Sequence, residues 1–464
     1  MIIIKCNIGQ FEQELNYIIG YIFGNVFGFD YQIESSFDDD IIIISSDWTG
    51  QLVLPNIFFK NLNENWLTEL SLPYLPLEIW DSNELSGEIL LFNNKLPVIY
   101  GKRVTNVIND NARICLPIDI FGSAFFMLSR YEELVNVDNL DCHKRYIATN
   151  SISYKANFLH RPIIDEYIEV LWVAILKLWP NLNRKPKINK LNVTCDVDSL
   201  FDLGTSLSSI PRGFIGDVFK RKNLSLATEN LIKRLNYLCG SFKRSEHYKN
   251  IQWIMDVNEK AGNSVIFYFI AGGENRLDSD YKLGSKAVRS LLREIKQRGH
   301  EVGLHPSYDT YADFSKLSKE LKNFIKILNE EGFENRTIKS RQHYLRFCAS
   351  SSALNLDSHR IYSDSTLSYA EVTGFRCGTS KSFPMYDLKS RKTLDIIQVP
   401  LTIMETTVIS QEYMGLGFSE DALNHILKHK ETSMRISGQF TFLWHNSSFE
   451  DDYAYVMYQE IIKN

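Results

Sequence analysis

The sequence predicts an α/β protein: a parallel sheet or barrel in its C-terminal part, preceded by a smaller mixed α/β domain. Three observations carry this expectation. From Leu191 onward, strand-like runs alternate with amphipathic helices, the pattern of a parallel sheet covered by helices. A polar stretch containing Pro186, residues 181–190, separates this part from a helix that is apolar almost all round. The length, 464 residues, exceeds one small domain and suits two, or one large barrel with an appendage.

Taken in order, residues 41–44, 52–54 and 89–92 are short strand-like runs among loops rich in Asn, Asp and Pro. Residues 117–133 read as a buried helix capped by its polar end. Residues 163–178 read as a connecting helix packed on both sides. The expected boundaries are a mixed α/β domain over 1–150, a connecting helix and linker over 151–190, and the α/β sheet or barrel over 191–464. Within the last part, 285–298 places Val288, Leu291, Leu292 and Ile295 on one helical face and stops at Gly299. Residues 315–328 repeat the pattern with Leu317, Leu321, Phe324, Ile325 and Leu328. Strand-like runs fall at 264–270, 301–304, 361–364, 396–404 and 439–444.

Composition narrows the function. The chain is 44% hydrophobic and 23% charged, with a net charge of −5. That balance offers no bulk attraction to nucleic acid or an anionic membrane, and no dense Lys/Arg cluster is present. The apolar start, Met1 to Cys6, is far too short for a signal-peptide core. The longest apolar stretches fall short of the roughly 20 residues a membrane span needs. Seven scattered cysteines, Cys239 among them, form no C-x-x-C pair, so the expectation is a reduced, cytoplasmic protein.

The chemistry concentrates at strand ends. The run 191–197 ends in Asp196 and Asp198, spaced i, i+2, so an extended chain puts both carboxylates on one side. Two acids aimed at one point repel unless a cation or a shared proton relieves them. Later runs end in His305, Asp364 and His445, and a segment carrying Arg341 and His343 lies between. In a β/α barrel such C-terminal strand ends meet at one mouth.

These motifs, Asp196-Val197-Asp198, then Gly299-His300-Glu301-Val302-Gly303-Leu304-His305, then Arg341, then Leu443-Trp444-His445, resemble the polysaccharide deacetylase (NodB homology, carbohydrate esterase 4-like) family. A divergent branch is similar at 341–346, at Asp364-Ser365-Thr366, at 374–379 and at 443–446. That branch has an N-terminal domain of unknown function (DUF7033-like) ending as residues 128–133 do here. The resemblance implies a deformed (β/α) barrel of about seven strands. It also implies metal-dependent removal of an N-acetyl group from a sugar or glycan substrate. By position it implies Asp196 as general base, Arg341 as the group holding that base, and His445 as the acid that protonates the leaving amine. Asp198 and His305 fall on metal-ligand positions. A divalent ion is implied, zinc foremost, with cobalt, nickel or manganese also accommodated.

One departure is conspicuous. The family's second metal histidine falls on Asp309, which can still ligate a divalent ion, with His343 as rival third ligand. Equally, Asp309 reads as a turn or cap residue. Ser307 is a candidate for the hydroxyl that Pro306 displaces. Tyr344, Arg376 and Trp444 are candidate substrate-binding residues; Arg376 also reads as a loop-stabilising ion pair, and Trp444, with Phe449, as core. His300 reads as a helix cap or strand residue. His425 and His429, one helical turn apart, read as a solvated face. With Asp309 in a histidine's place, and Arg341-Gln342-His343-Tyr344 where the family has an Arg-Pro-Tyr segment, the alternative function is a catalytically impaired barrel acting as a glycan-binding or scaffold module.

Overall fold

The computed structural model describes all residues except 63, 103–111, 139, 202–227, 229–230, 233–241, 335–336 and 464. Its N-terminal strands are β1 (Ile2–Cys6), β2 (Tyr31–Ser35), β3 (Ile41–Ser45), β4 (Gln51–Leu54), β5 (Glu78–Asp81), β6 (Lys95–Val98) and β7 (Arg113–Cys115). Five of them form a sheet in the order β2-β1-β3-β4-β7, and β5 pairs with β6 alone. Isoleucines alternate between buried and half-buried along β1 and β3, giving the sheet its core face. Residues 89–92 are not a strand. The Phe92 amide donates instead to Glu166 Oε1 (2.6 Å), so the connecting helix, Ile163–Leu178, satisfies this backbone.

The buried stretch expected at 117–133 is two helices. Asp119 caps Ile120–Leu128 through the Gly122 amide. Arg130, at φ 55°, then turns the chain into Tyr131–Val135.

The C-terminal strands are β8 (Lys190–Val197), β9 (Val265–Phe269), β10 (Glu301–Leu304), β11 (Lys339–Ser340), β12 (Ser363–Asp364), β13 (Phe383–Asp387), β14 (Lys392–Gln398), β15 (Ile403–Met404) and β16 (Gln439–Leu443). They form one sheet in the order β13-β14-β12-β11-β10-β9-β8-β16-β15. Every neighbouring pair is parallel except β13 with β14. Helices Lys286–Gln297 and Phe314–Glu330 follow β9 and β10, burying Val288, Leu291, Leu292 and Ile295 from one and Leu317, Leu321 and Phe324 from the other.

The run expected as one strand at 396–404 is split between β14 and β15 around Pro400, which has no amide to give a ladder. This split shows how the sheet curls. β14 stands second and β15 ninth in the strand order, about 34 Å apart were the sheet flat. The connection from Gln398 to Ile403 reaches only about 17 Å. Its amides bond inward, Val399 to Asp364 O (2.8 Å) and Thr402 to Thr441 O (3.0 Å). The protein is thus mixed α/β, with a curled nine-stranded half-barrel and smaller sheets.

One continuous core joins the two sheets. Tyr17 and Phe125 pack on Tyr386, whose hydroxyl donates to Glu14 Oε1 (2.7 Å). No helix among the described residues is long and apolar enough to cross a membrane. The six described cysteines are free thiols; Cys239 lies outside the described residues.

Candidate metal centre

β8 delivers Thr194 and Asp196 to one side of the sheet and, just past its end, Asp198. Asp198 Oδ1 lies 3.2 Å from Nε2 of His305, which follows β10. It lies 3.6 Å from Nε2 of His343, in the turn after β11. The ligand atoms of these three residues all lie within 4.8 Å of one another.

Hydrogen bonds on the far side of each ring fix what the near side offers. His305 Nδ1 meets the Arg341 carbonyl oxygen, which can only accept. His343 Nδ1 lies 3.3 Å from Asp278 Oδ1. In the neutral rings both Nδ1 atoms therefore carry the hydrogen, and both Nε2 lone pairs face Asp198. Asp198 Oδ1 is itself buried without a hydrogen-bond partner among the described residues. Three electron-rich atoms this close require positive charge among them.

Protons can supply that charge. Burial disfavours charge on His343, but Asp198 and Asp278 outweigh it and push His343 up to about 9. Burial also opposes charge on Asp198, yet His343, His305 and His445 hold its carboxyl well below the usual range. A divalent ion can supply the charge instead. Two imidazole nitrogens and one carboxylate oxygen suit zinc and neighbouring first-row ions. The residues present fit a divalent metal ion, with Asp278 buttressing one ligand from behind.

Asp309, expected as the third ligand, is not part of this group. Its side chain is 43% exposed and lies 3.9 Å from both Lys316 Nζ and Arg346 Nη1. The turn after His305 directs it outward, because Glu320 ties down the Ser307 amide and hydroxyl. Ser307 is accordingly spent on Glu320. His343 takes the third place through a tight turn in which Tyr344 (φ 61°) and Leu345 (φ 53°) both adopt left-handed conformations. Such conformations cost roughly 1–3 kcal/mol each in non-glycine residues.

Two paired groups flank the three ligands. Arg341 is 0% exposed. Its Nη1 donates to Asp196 Oδ1 (2.9 Å) and Thr194 Oγ1 (2.7 Å), and Ser365 takes Nε and Nη2 (3.0 Å each). Asp364, another strand-end acid, stays out of the site but holds the turn around Ser365 through Thr366. Gly303 makes room for this clamp: a Cβ there would come within 2.4 Å of the Tyr268 ring, which lies under the Arg341 guanidinium. Opposite, His445 Nε2 lies 3.5 Å from Asp198 Oδ2 and its Nδ1 2.6 Å from Glu405 Oε1. Burial disfavours the imidazolium, but Glu405, with Asp198 and Asp196, pushes His445 up to about 10.

These groups open into a cleft of about 470 Å³ lined also by Tyr344, Tyr413 and Arg145. Tyr344 is therefore where a substrate-binding residue would be. Arg376 and Trp444 are not. Arg376, 2% exposed, forms a two-pronged bond to Glu133 (2.8 and 2.7 Å) and donates to Ser368 O. Trp444 is 0% exposed and packs with Phe449 and Tyr458 in the core. His300 accepts from the Val265 amide and sits beside Glu259, a structural position. His425 and His429 are not a solvated face: both Nε2 atoms turn toward Thr373 Oγ1 (2.7 and 3.5 Å), and His429 is buried.

Two residues that pair with this site escaped the sequence reading. Glu405 directly follows the strand-like run ending at Met404, so the strand-end rule that found Asp198 would have reached it. Asp278 lies in a loop after β9 with no pattern to announce it.

Residues 3–180 match a family of unknown function (DUF7033). Searches of curated proteins and of solved structures returned no match. The family match ends before β8, so all three candidate ligands lie beyond it.

Proposed function

We propose that this chain is a metal-dependent hydrolase that removes an N-acetyl group from a sugar in glycan or surface-polysaccharide metabolism. The observation that carries the reading is a three-donor site between an arginine-held carboxylate and a carboxylate-held histidine. The ordered motifs from Asp196 to His445 and their resemblance to polysaccharide deacetylases support it.

An amide resists hydrolysis because its carbonyl is a poor electrophile and an amide anion cannot leave. Asp198, His305 and His343 would hold a divalent ion, zinc foremost, which would supply Lewis acidity for the carbonyl and for deprotonation of water. Asp196, oriented by Arg341, accepts the proton of the attacking water. His445, held as imidazolium by Glu405, gives a proton to the departing nitrogen. Base and acid thus stand on either side of Asp198, each fixed by a partner of opposite charge.

Release of acetate from N-acetylhexosamine glycans in the presence of Zn²⁺ or Co²⁺ tests the reading. Asp198→Ala and His305→Ala should lose bound metal and activity together; unchanged metal content would sink the ligand assignment. Glycan binding without turnover, in protein holding no tightly bound metal, would favour the glycan-binding or scaffold module. That alternative rests on Asp309 standing in a histidine's place and on the absence of the family's Arg-Pro-Tyr segment; His343 offers a nitrogen for the first, and the second still stands.

A further inference from the structure

We propose that Arg145, in the N-terminal region, is a positioning residue for the metal centre: it holds the Tyr344–Leu345 turn and so keeps His343 beside Asp198 and His305. This deepens the metal-dependent reading above and rests on it. Arg145 lies within the segment that matches the family of unknown function, which thereby acquires a role in shaping the ligand set.

The turn needs holding. Tyr344 (φ 61°) and Leu345 (φ 53°) are both left-handed. In non-glycine residues such conformations persist only where the surroundings over-determine them. Within the turn, the Leu345 amide donates to Gln342 O (3.0 Å) and the Arg346 amide reaches His343 O at 3.4 Å. The Tyr344 carbonyl oxygen accepts from Arg145 Nη1 at 3.1 Å, across 199 positions of sequence. A donor on that oxygen fixes the peptide plane between the two left-handed residues.

Arg145 is itself aimed. It is 8% exposed, and Asp141 accepts from its Nε at 2.6 Å. The same carboxylate accepts from the His143 and Arg145 amides (2.8 Å each), while the Asp141 amide donates to Arg145 O (3.0 Å). A planar guanidinium gripped through Nε by so tight a loop points its outer nitrogens in one direction.

His143, in that loop, supplies a second grip. Its ring packs on Tyr344 with centroids 4.7 Å apart, and Tyr344 packs on His343 at 4.8 Å. The His143 carbonyl oxygen accepts from Arg346 Nε (2.8 Å), just past the turn, and its Nδ1 lies 2.9 Å from the Tyr308 hydroxyl. Arg145 bonds to Asp141, Tyr344 and, at 3.5 Å, the Tyr413 hydroxyl, but to none of the three candidate ligands. Its influence on an ion therefore passes through His343, the ligand adjoining Tyr344.

The test titrates the metal-free full chain with Zn²⁺ against a chelating dye and scores affinity per folded molecule. Arg145→Ala should weaken Zn²⁺ binding about 10-fold, the low end for removing a ligand's partner, since Arg145 acts one residue away from the ligand. In a His343→Ala background the same substitution should weaken it no further, because both changes act through one ligand. Should Arg145→Ala not fold, Arg145→Lys takes its place in the cycle: it keeps a charge beside Asp141, but its single nitrogen cannot span Asp141 and Tyr344 together. Unchanged Zn²⁺ affinity in the folded variant, or equal weakening with and without His343, would overturn the inference. So would a rise in substrate KM with Zn²⁺ affinity intact, which would make Arg145 a substrate contact. Wild type that binds Zn²⁺ but releases no acetate overturns the deacetylase reading and leaves the inference to the cycle; wild type that binds no metal overturns both.

Discussion

Replacing Arg341 by methionine keeps an aliphatic stem and removes a guanidinium from a site with 0% exposure. Hydrogen bonds to Thr194 Oγ1, Asp196 Oδ1, and the carbonyl and hydroxyl oxygens of Ser365, all between 2.7 and 3.0 Å, go with it. Stranding one member of a buried ion pair costs about 3–5 kcal/mol, most of it from the uncompensated charge on Asp196. The neutral acceptors add to this, at about 1–3 kcal/mol for each that cannot find another donor. Against a total stability of about 5–15 kcal/mol, that is a large fraction. Arg341→Met/Asp196→Asn removes the stranded charge, so the double variant should be more stable than the sum of the single losses implies, with a coupling of about 2–3 kcal/mol. Urea unfolding of the four proteins, followed by tryptophan fluorescence, measures the cycle. A loss below about 1 kcal/mol for Arg341→Met, or strict additivity, would refute the claim that this pair is a dry clamp around Asp196.

Four further outcomes follow from particular contacts. His343→Ala should weaken metal binding beyond the about 10–100-fold expected for Asp278→Asn, which removes only a ligand's partner. Asp309→Ala should leave it unchanged in a chelator-competition titration, and loss of metal there would return Asp309 to the site. Glu133→Gln should destabilise by about 3–5 kcal/mol in thermal melts, because it strands Arg376 in the interior and leaves Arg130 only Glu132 as a counter-charge. Activity per folded molecule should persist, and a specific loss of kcat/KM would make Arg376 a substrate residue after all. Stability should also fall in mild acid through His429, which burial, with His425, His160 and Lys428 nearby, pushes down to about 4. Its other neighbours, Thr373 and Phe375, carry no charge. The unfolded chain takes up a proton near pH 6.5 and the folded chain only near 4, so the contribution is complete above about 6.5 and lost as pH falls toward 4, roughly 3 kcal/mol in all. His429→Phe should flatten that part of the melting-temperature profile; an unchanged slope would count against it.

What the sequence made legible is what lies along a strand. Asp196, Asp198, His305 and His445 each end a β-rich run, and parallel strands in a curled sheet bring such ends together. The same period explains Trp444. Adjacent residues in an extended chain face opposite ways, so with His445 in the cleft, Trp444 turns into the core. Arg376 was harder, since its partner Glu133 is 243 positions away and no local pattern joins them. The N-terminal strands β5, β6 and β7 are short and polar at their ends, too brief for periodicity to show. The bend that carries His343 was equally silent, because the left-handed residues Tyr344 and Leu345 include no glycine to mark a turn.

That bend explains how His343, and not Asp309, comes to face Asp198. Gln342 Nε2 donates to the carbonyl oxygens of Pro306 (3.1 Å) and Ser307 (2.8 Å), and the His343 amide donates to Pro306 O (3.1 Å). The turn after β10 is thus fastened to the turn after β11. Asp278 completes the junction, accepting from the Tyr308 amide (2.8 Å) on one turn and facing His343 Nδ1 on the other. Asp278 therefore joins Glu320 in fixing the outward course of the first turn, which carries Asp309 to the surface, and also sets the inward aim of the second. His343 rather than Asp309 thus stands beside Asp198 and His305, and the strained pair Tyr344–Leu345 is the conformational cost of bringing it over Asp198.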